Sequence, residues 1–146
     1  MNPARVRERK MPFDDHHGGV LHGYQLAFNK RSAHYPGAAS ANVVEMPGRR
    51  VEGVLYQLQN GASIQFMDPF EGYPVRYTRQ QLPVIFSGQK FIAWVYLANQ
   101  AFIDDGLKPA RWYLEHLLEG EPHLTPQYFA ELAATQCLPD SEIEPS

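Results

Sequence analysis

Strand-like runs dominate residues 20–98, with one helical stretch among them, and helices take over after residue 106, an order that limits the fold more than any other feature of the chain. In residues 20–29, Leu26 and Phe28 alternate with Gln25 and Ala27, the two-residue period of a strand. Residues 33–37 read as a turn and residues 40–45 as a short strand. Met46-Pro47-Gly48-Arg49 makes a tight turn into residues 51–58, whose faces are both mostly apolar, as in a strand central to a sheet or barrel. Apolar side chains at 62, 64, 66, 67 and 70 have helical spacing, ending near Gly72 with the last turn bent or broken by Pro69. Residues 75–86 and 91–98 form a hairpin through Ser87-Gly88-Gln89-Lys90.

Two helices close the chain. Residues 109–118 carry Trp112, Leu114, Leu117 and Leu118 near one face, and Thr125-Pro126 starts a second helix with Thr125 as its cap. At the other end, Asn2 caps a short basic helix through Arg9, and residues 11–19 read as a loop from their Pro, Asp and Gly content. The expectation is one α+β domain over residues 1–140, with the strands curling into a small barrel. The Pro- and acid-rich end frays from residue 138, leaving residues 141–146 as a flexible tail.

At 146 residues and 44% hydrophobic, the chain can build one well-buried core but not two ordinary domains. A formal charge of −3 gives no pull toward nucleic acid or anionic lipid. No apolar run approaches the ~20 residues that span a bilayer, and the charged first fifteen residues hold no secretory apolar stretch. The single Cys137 excludes an internal disulfide framework and a cysteine zinc site. A cytoplasmic protein with neither nucleic-acid nor membrane partners is expected.

Asp14, Asp15, His16, His17 and His22 are the densest set of metal-ligating side chains, but no second group at ligand spacing completes a site, and a solvated loop is the preferred reading. The chain has no phosphate-binding or dinucleotide fingerprint and no Gly-x-Ser-x-Gly elbow. Cys137 lies near the end of the chain without an evident histidine partner. Glu71 is different. It stands between Phe70 and Tyr73 where a helix gives way to Gly72, and a carboxylate desolvated among aromatics is raised toward the range of a general base. On this stretch alone, an acidic helix end beside its glycine cap is the commoner reading. Tyr77, Tyr96, Tyr113 and Tyr128 can reach the same pocket, although each tyrosine taken singly is more often a core residue. Arg76 and Arg79 are read as solvating a strand face.

The order of these pieces resembles the γ-glutamylcyclotransferase-like family over nearly the whole length. The matching stretches are Leu21-His22-Gly23-Tyr24-Gln25-Leu26-Ala27-Phe28, Gly37-Ala38-Ala39-Ser40-Ala41-Asn42 and Val51-Glu52-Gly53-Val54-Leu55-Tyr56-Gln57-Leu58. Asp68-x-x-Glu71-Gly72, Tyr77, Tyr96-Leu97, Pro109-x-x-x-Tyr113 and Leu124-x-Pro126-x-Tyr128-x-x-x-Leu132 follow in order. The resemblance implies a small mixed β-barrel, flanked by helices, that converts γ-glutamyl compounds to 5-oxoproline and a free amine, without metal or other cofactor. It makes Glu71 the acid/base and places Tyr77 and Tyr113 around the pocket, with Tyr96 as a further member. The alternative is a non-catalytic small-molecule-binding or regulatory protein on the same fold. The family's opening strand and Tyr-Gly-Ser-Asn loop have no counterpart here, since the chain starts at Met1-Asn2-Pro3-Ala4-Arg5. The true start is therefore expected upstream, which the DNA before codon 1 tests. Without that strand, an exposed edge invites a homodimer.

Overall fold

The computed structural model describes residues 13–139. The expected helix at residues 2–9 and the tail at residues 141–146 lie outside them. Five strands form one mixed sheet: β1 (Phe13–Arg31), β2 (Ala38–Leu58), β3 (Tyr77–Phe86), β4 (Gln89–Ala98) and the short β5 (Lys108–Pro109), in the spatial order β4-β3-β1-β2-β5. All neighbouring pairs are antiparallel except β2 with β5. Three α-helices accompany the sheet: α1 (Asp68–Glu71), α2 (Arg111–Leu118) and α3 (Pro126–Ala133). No described helix is long and apolar enough to cross a membrane.

The α+β class is as expected. The barrel is not closed by backbone pairing among the described residues, because β4 and β5 remain as the two ends of the sheet. A side chain nonetheless bridges across from β2: Asn42 Oδ1 accepts the Ala98 N–H at the end of β4 at 2.8 Å.

Residues 13–19 are not part of the loop expected over 11–19, because β1 already runs from Phe13, with His16 opposite Tyr56 and His17 opposite Leu55. The two glycines serve close approach rather than a turn. A Cβ on Gly18 would stand 2.8 Å from the His123 carbonyl oxygen, and one on Gly19 would stand 2.8 Å from Val84 Cγ1 on β3. Residues 40–58 form one strand instead of two. His22 pairs with Arg50 and Tyr24 with Glu45, so Met46-Pro47-Gly48-Arg49 bulges out opposite Gly23 while the strand keeps its direction. The central position expected for residues 51–58 belongs to β1.

The helix expected over residues 61–70 is split into a 3₁₀ turn (Ser63–Phe66) and α1. Pro69 sits in the first turn of α1, where its missing N–H has no helical acceptor to lose, so it starts a helix rather than bending the end of one. The β3–β4 hairpin is tighter than its four-residue connection suggests. Phe86 pairs with Gln89, leaving Ser87 and Gly88 with φ of 51° and 74°, the left-handed pair that suits strand twist. Pro109 belongs to β5, so α2 starts two residues later than its apolar spacing indicates. Thr125 caps α3 as expected, its hydroxyl accepting the Tyr128 N–H at 3.3 Å.

Leu114 of α2, with Tyr128 and Leu132 of α3, is buried together with Leu21, Ala38 and Ala39 of the sheet. Met67, just ahead of α1, packs against Tyr56, Leu58 and Tyr96. The Asp68–Arg79 pair holds α1 beside the start of β3.

Candidate functional site

The site begins with a mismatch of register. Ala27 of β1 faces Asn42 of β2, and Lys30 faces Ser40, so Phe28 and Asn29 stand against Ala41 alone. Such a bulge turns successive side chains the same way, and Asn29 and Lys30 are both buried, at 9% and 3% exposure. Ala41 uses its backbone elsewhere. Its N–H donates to the Tyr113 hydroxyl at 2.9 Å, and its carbonyl accepts the Tyr77 hydroxyl at 2.7 Å. Two tyrosines, from the start of β3 and the first turn of α2, therefore meet at one residue of β2.

Asn42 carries the same junction further. Its amide donates to Asn29 Oδ1 at 3.1 Å while its oxygen holds Val43 N–H and Ala98 N–H. Asn29 in turn donates to Asp105 at 3.1 Å. Buried amides satisfied on every side fix strands more rigidly than an apolar contact would.

Glu71 ends α1, and Gly72 follows with φ of 73°, a left-handed cap at which a Cβ would also press on the Arg76 side chain at 3.0 Å. Helix α1 is too short to stand by its own hydrogen bonds, and Asp68 anchors it. Arg79 donates to both Asp68 oxygens, at 3.0 and 3.2 Å, and the Tyr96 hydroxyl donates to Asp68 Oδ1 at 2.6 Å. The Arg79 guanidinium also lies over the rings of Tyr73 and Trp94. Arg79 is thus held between aromatics and a carboxylate, a correction to its reading as a solvated strand residue. Arg76 packs over Phe102, and Asn99 ties down its segment by donating to Pro74 and Val75 carbonyls.

Glu71 is half-buried, and its charge acts on Lys30, Tyr77 and Tyr96. Burial, then the charge of Arg76, lowers the Lys30 ammonium to a pKa of about 8 against the opposing pull of Glu71. Lys30 Nζ lies 5.0 Å from the centre of the Tyr77 ring. Burial also pushes the Tyr77 hydroxyl well above the ordinary tyrosine range, with Tyr113 and Glu71 adding to it. For Tyr96 burial comes first and the hydrogen bond to Asp68 second, in the same direction. Both phenols stay protonated at neutral pH and act as donors.

The chain therefore brings Glu71, Tyr77, Tyr96 and Tyr113 to one corner, where the three hydroxyls already have protein partners. Tyr128 is elsewhere, packed near Arg50 and Glu52. Lys30, Asn42 and the anchoring role of Asp68 escape the sequence reading. The signal for Lys30 was a lysine continuing the alternating phase of Leu26 and Phe28. Two open clefts of about 470 and 460 Å³ are lined by none of Glu71, Tyr77, Tyr96 and Tyr113, one lying beside Pro126 and Phe129, the other between β1, Arg49 and α3.

Among the described residues no three metal-ligating side chains converge. His16 lies 3.0 Å from His123, and His17 pairs with Asp15 while stacking on Phe86.

Residues 3–115 match the family described as gamma-glutamyl cyclotransferase, AIG2-like. The chain belongs to this family. A solved structure named gamma-glutamyl cyclotransferase is 21% identical, with a TM-score of 0.82 over 99% of this chain and 87% of the other. An uncharacterised Homo sapiens protein has a TM-score of 0.77 at 21% identity, over 92% of this chain and 80% of its own. YkqA from Bacillus subtilis has a TM-score of 0.78 at 21% identity, covering 94% of this chain and 52% of its own. These likenesses establish a shared fold. No functionally curated protein matches the chain.

Proposed function

We propose that this family member releases 5-oxoproline from a γ-glutamyl amine or peptide by intramolecular aminolysis, with Glu71 as general acid/base. The observation that supports it is a half-buried carboxylate on a braced turn, electrostatically coupled to Lys30, Tyr77 and Tyr96. Glu71 takes a proton from the substrate's α-ammonium, and the freed amine attacks its own γ-carbonyl to close a five-membered ring. The ring nitrogen sheds its second proton as the bond to the leaving nitrogen breaks; Glu71 returns the first proton to that nitrogen, and the amine departs as its ammonium with both. Atoms balance without a protein nucleophile or cofactor, and tethering can supply up to ~7–11 kcal/mol of the barrier. Proton transfer by one carboxylate contributes roughly 10²- to 10⁴-fold more. Tyr77, Tyr96 and Tyr113 shape the wall through their rings, and the fully hydrogen-bonded frame behind them keeps it rigid.

A second reading, a small-molecule-binding module on the same fold, is favoured by two open clefts that Glu71 does not line. The two separate in one assay. The full-length protein is offered γ-glutamyl amino acids, glutathione and γ-glutamyl amines, and 5-oxoproline is measured. Release with any of them supports the enzyme; calorimetric binding without release supports the module.

A further inference from the structure

Lys30 is the one described lysine buried to 3% exposure, and the activity described above gives it no task. No described residue forms a hydrogen bond or ion pair with its ammonium; its contact is the face of Tyr77. A buried cation left so is costly unless a charged group arrives to complete it. The bulge at residues 27–30 commits β1 to placing it there, and Asn29 beside it is satisfied by Asn42 and Asp105. Among the described residues the charges that act on it are Arg76 and Glu71, with the Tyr77 phenol neutral.

Among the described residues, the two cations Lys30 and Arg76 meet one carboxylate, Glu71, an excess of positive charge for a ligand to match. A γ-glutamyl head carries an α-ammonium and an α-carboxylate on the same carbon, so the two charges arrive as close neighbours. With the ammonium at Glu71, the carboxylate falls toward the cationic side of the corner. We propose that Lys30, seconded by Arg76, binds the α-carboxylate of the γ-glutamyl head and thereby selects amino-acid heads over simple ω-amino acyl groups. This inference rests on the cyclotransferase reading and names how that site recognises its substrate. Anchoring the carboxylate also orients the amine, since both hang from the same carbon.

The test compares a γ-glutamyl amide with its 4-aminobutyryl counterpart, which lacks only the α-carboxylate and cyclises to 2-pyrrolidinone. Wild type prefers the γ-glutamyl amide. Lys30→Met, checked for folding by circular dichroism, should lose roughly 10- to 100-fold of kcat/KM on the γ-glutamyl amide, the worth of a charge-assisted hydrogen bond. It should lose little on the 4-aminobutyryl amide. Lys30→Arg gives an independent reading. Wild-type kcat/KM should fall as Lys30 loses its charge above a pH of about 8, whereas an arginine stays charged and should carry the preference to higher pH. All variants meet the same substrate ionisation, so the difference between them belongs to the protein. An active wild type whose K30M variant keeps the preference, or whose K30R variant keeps the decline near pH 8, would overturn the inference alone. A wild type that releases 5-oxoproline from no γ-glutamyl compound would remove the cyclotransferase reading and this inference with it.

Discussion

Tyr77 and Tyr113 grip the same residue from its two polar sides: Tyr77 donates to the Ala41 carbonyl at 2.7 Å, and Tyr113 accepts the Ala41 N–H at 2.9 Å. They lie 36 residues apart in sequence, on β3 and α2, and Ala41 is free to receive both because the bulge in β1 leaves it without a register partner. Replacing either hydroxyl strands a backbone group that water reaches poorly. Tyr113→Phe and Tyr77→Phe should each lower stability by about 1–3 kcal/mol. The double variant should cost less than the sum, because the first loss already loosens Ala41. Urea unfolding of the three proteins checks this, and full additivity would show the two contacts to be independent.

The Asp68–Arg79 pair bears on Glu71 through α1. Both side chains are mostly buried, at 14% and 13% exposure, so Arg79→Met removes two hydrogen bonds and leaves the carboxylate with the Tyr96 hydroxyl. A loss of about 3–5 kcal/mol is expected, the usual cost of stranding one partner of a buried pair. Amide exchange at Glu71 and Gly72 should accelerate more than exchange in α3. Equal acceleration at both would mean that α1 is braced by something else.

Glu52 joins β2 to the start of α3, accepting from Thr125 N–H at 2.8 Å, from the Thr125 hydroxyl at 2.9 Å and from Arg50 at 2.9 Å. Burial alone would raise its pKa, but the hydrogen bonds from Thr125 and the charge of Arg50 outweigh it and hold the carboxyl below its ordinary value. A depressed carboxylate stabilises the fold above its unfolded-state pKa, near 4.5, and that contribution disappears as pH falls through the lower folded-state value. Glu52→Gln should therefore melt below wild type at pH 7, with the gap closing in acid. A gap independent of pH would contradict the ionic part of this link.

Gly18 and Gly19 should tolerate alanine unequally. A Cβ at Gly18 meets the backbone of His123, whereas one at Gly19 meets a single methyl of Val84, which can rotate away. Gly18→Ala is expected to cost about 1–3 kcal/mol and Gly19→Ala less, read as the two shifts in melting temperature. The reverse order would show that the segment Glu121–His123 yields more readily than the β1–β3 contact.

These glycines also show where sequence reading stops. Elements set by neighbouring residues were legible: the Ser87-Gly88 reversal, the Thr125 cap, the Gly72 terminus that displays Glu71, and the tyrosines that gather around it. Features created by pairing across long distances were not. Gly18-Gly19 carries the composition of a loop, and only β2 and β3 alongside explain it as close packing. Pro47-Gly48 reads as a chain reversal, yet the partner strand continues past it. Lys30 is polar, and its burial follows from a register offset with Ser40 that no local pattern encodes. The resemblance to the cyclotransferases supplies the role proposed for Glu71, while the braces around it, Asp68 with Arg79 and Tyr96, are visible only in three dimensions.

The most direct test of the catalytic account is 5-oxoproline release by Glu71→Gln beside wild type, on the best γ-glutamyl substrate found. Glutamine fills the same space at the helix end without a titrating oxygen, so the melting temperature should stay close to wild type. Turnover should fall by roughly 10² or more, the usual worth of a positioned acid/base. A folded E71Q protein that releases 5-oxoproline at the wild-type rate would contradict the account.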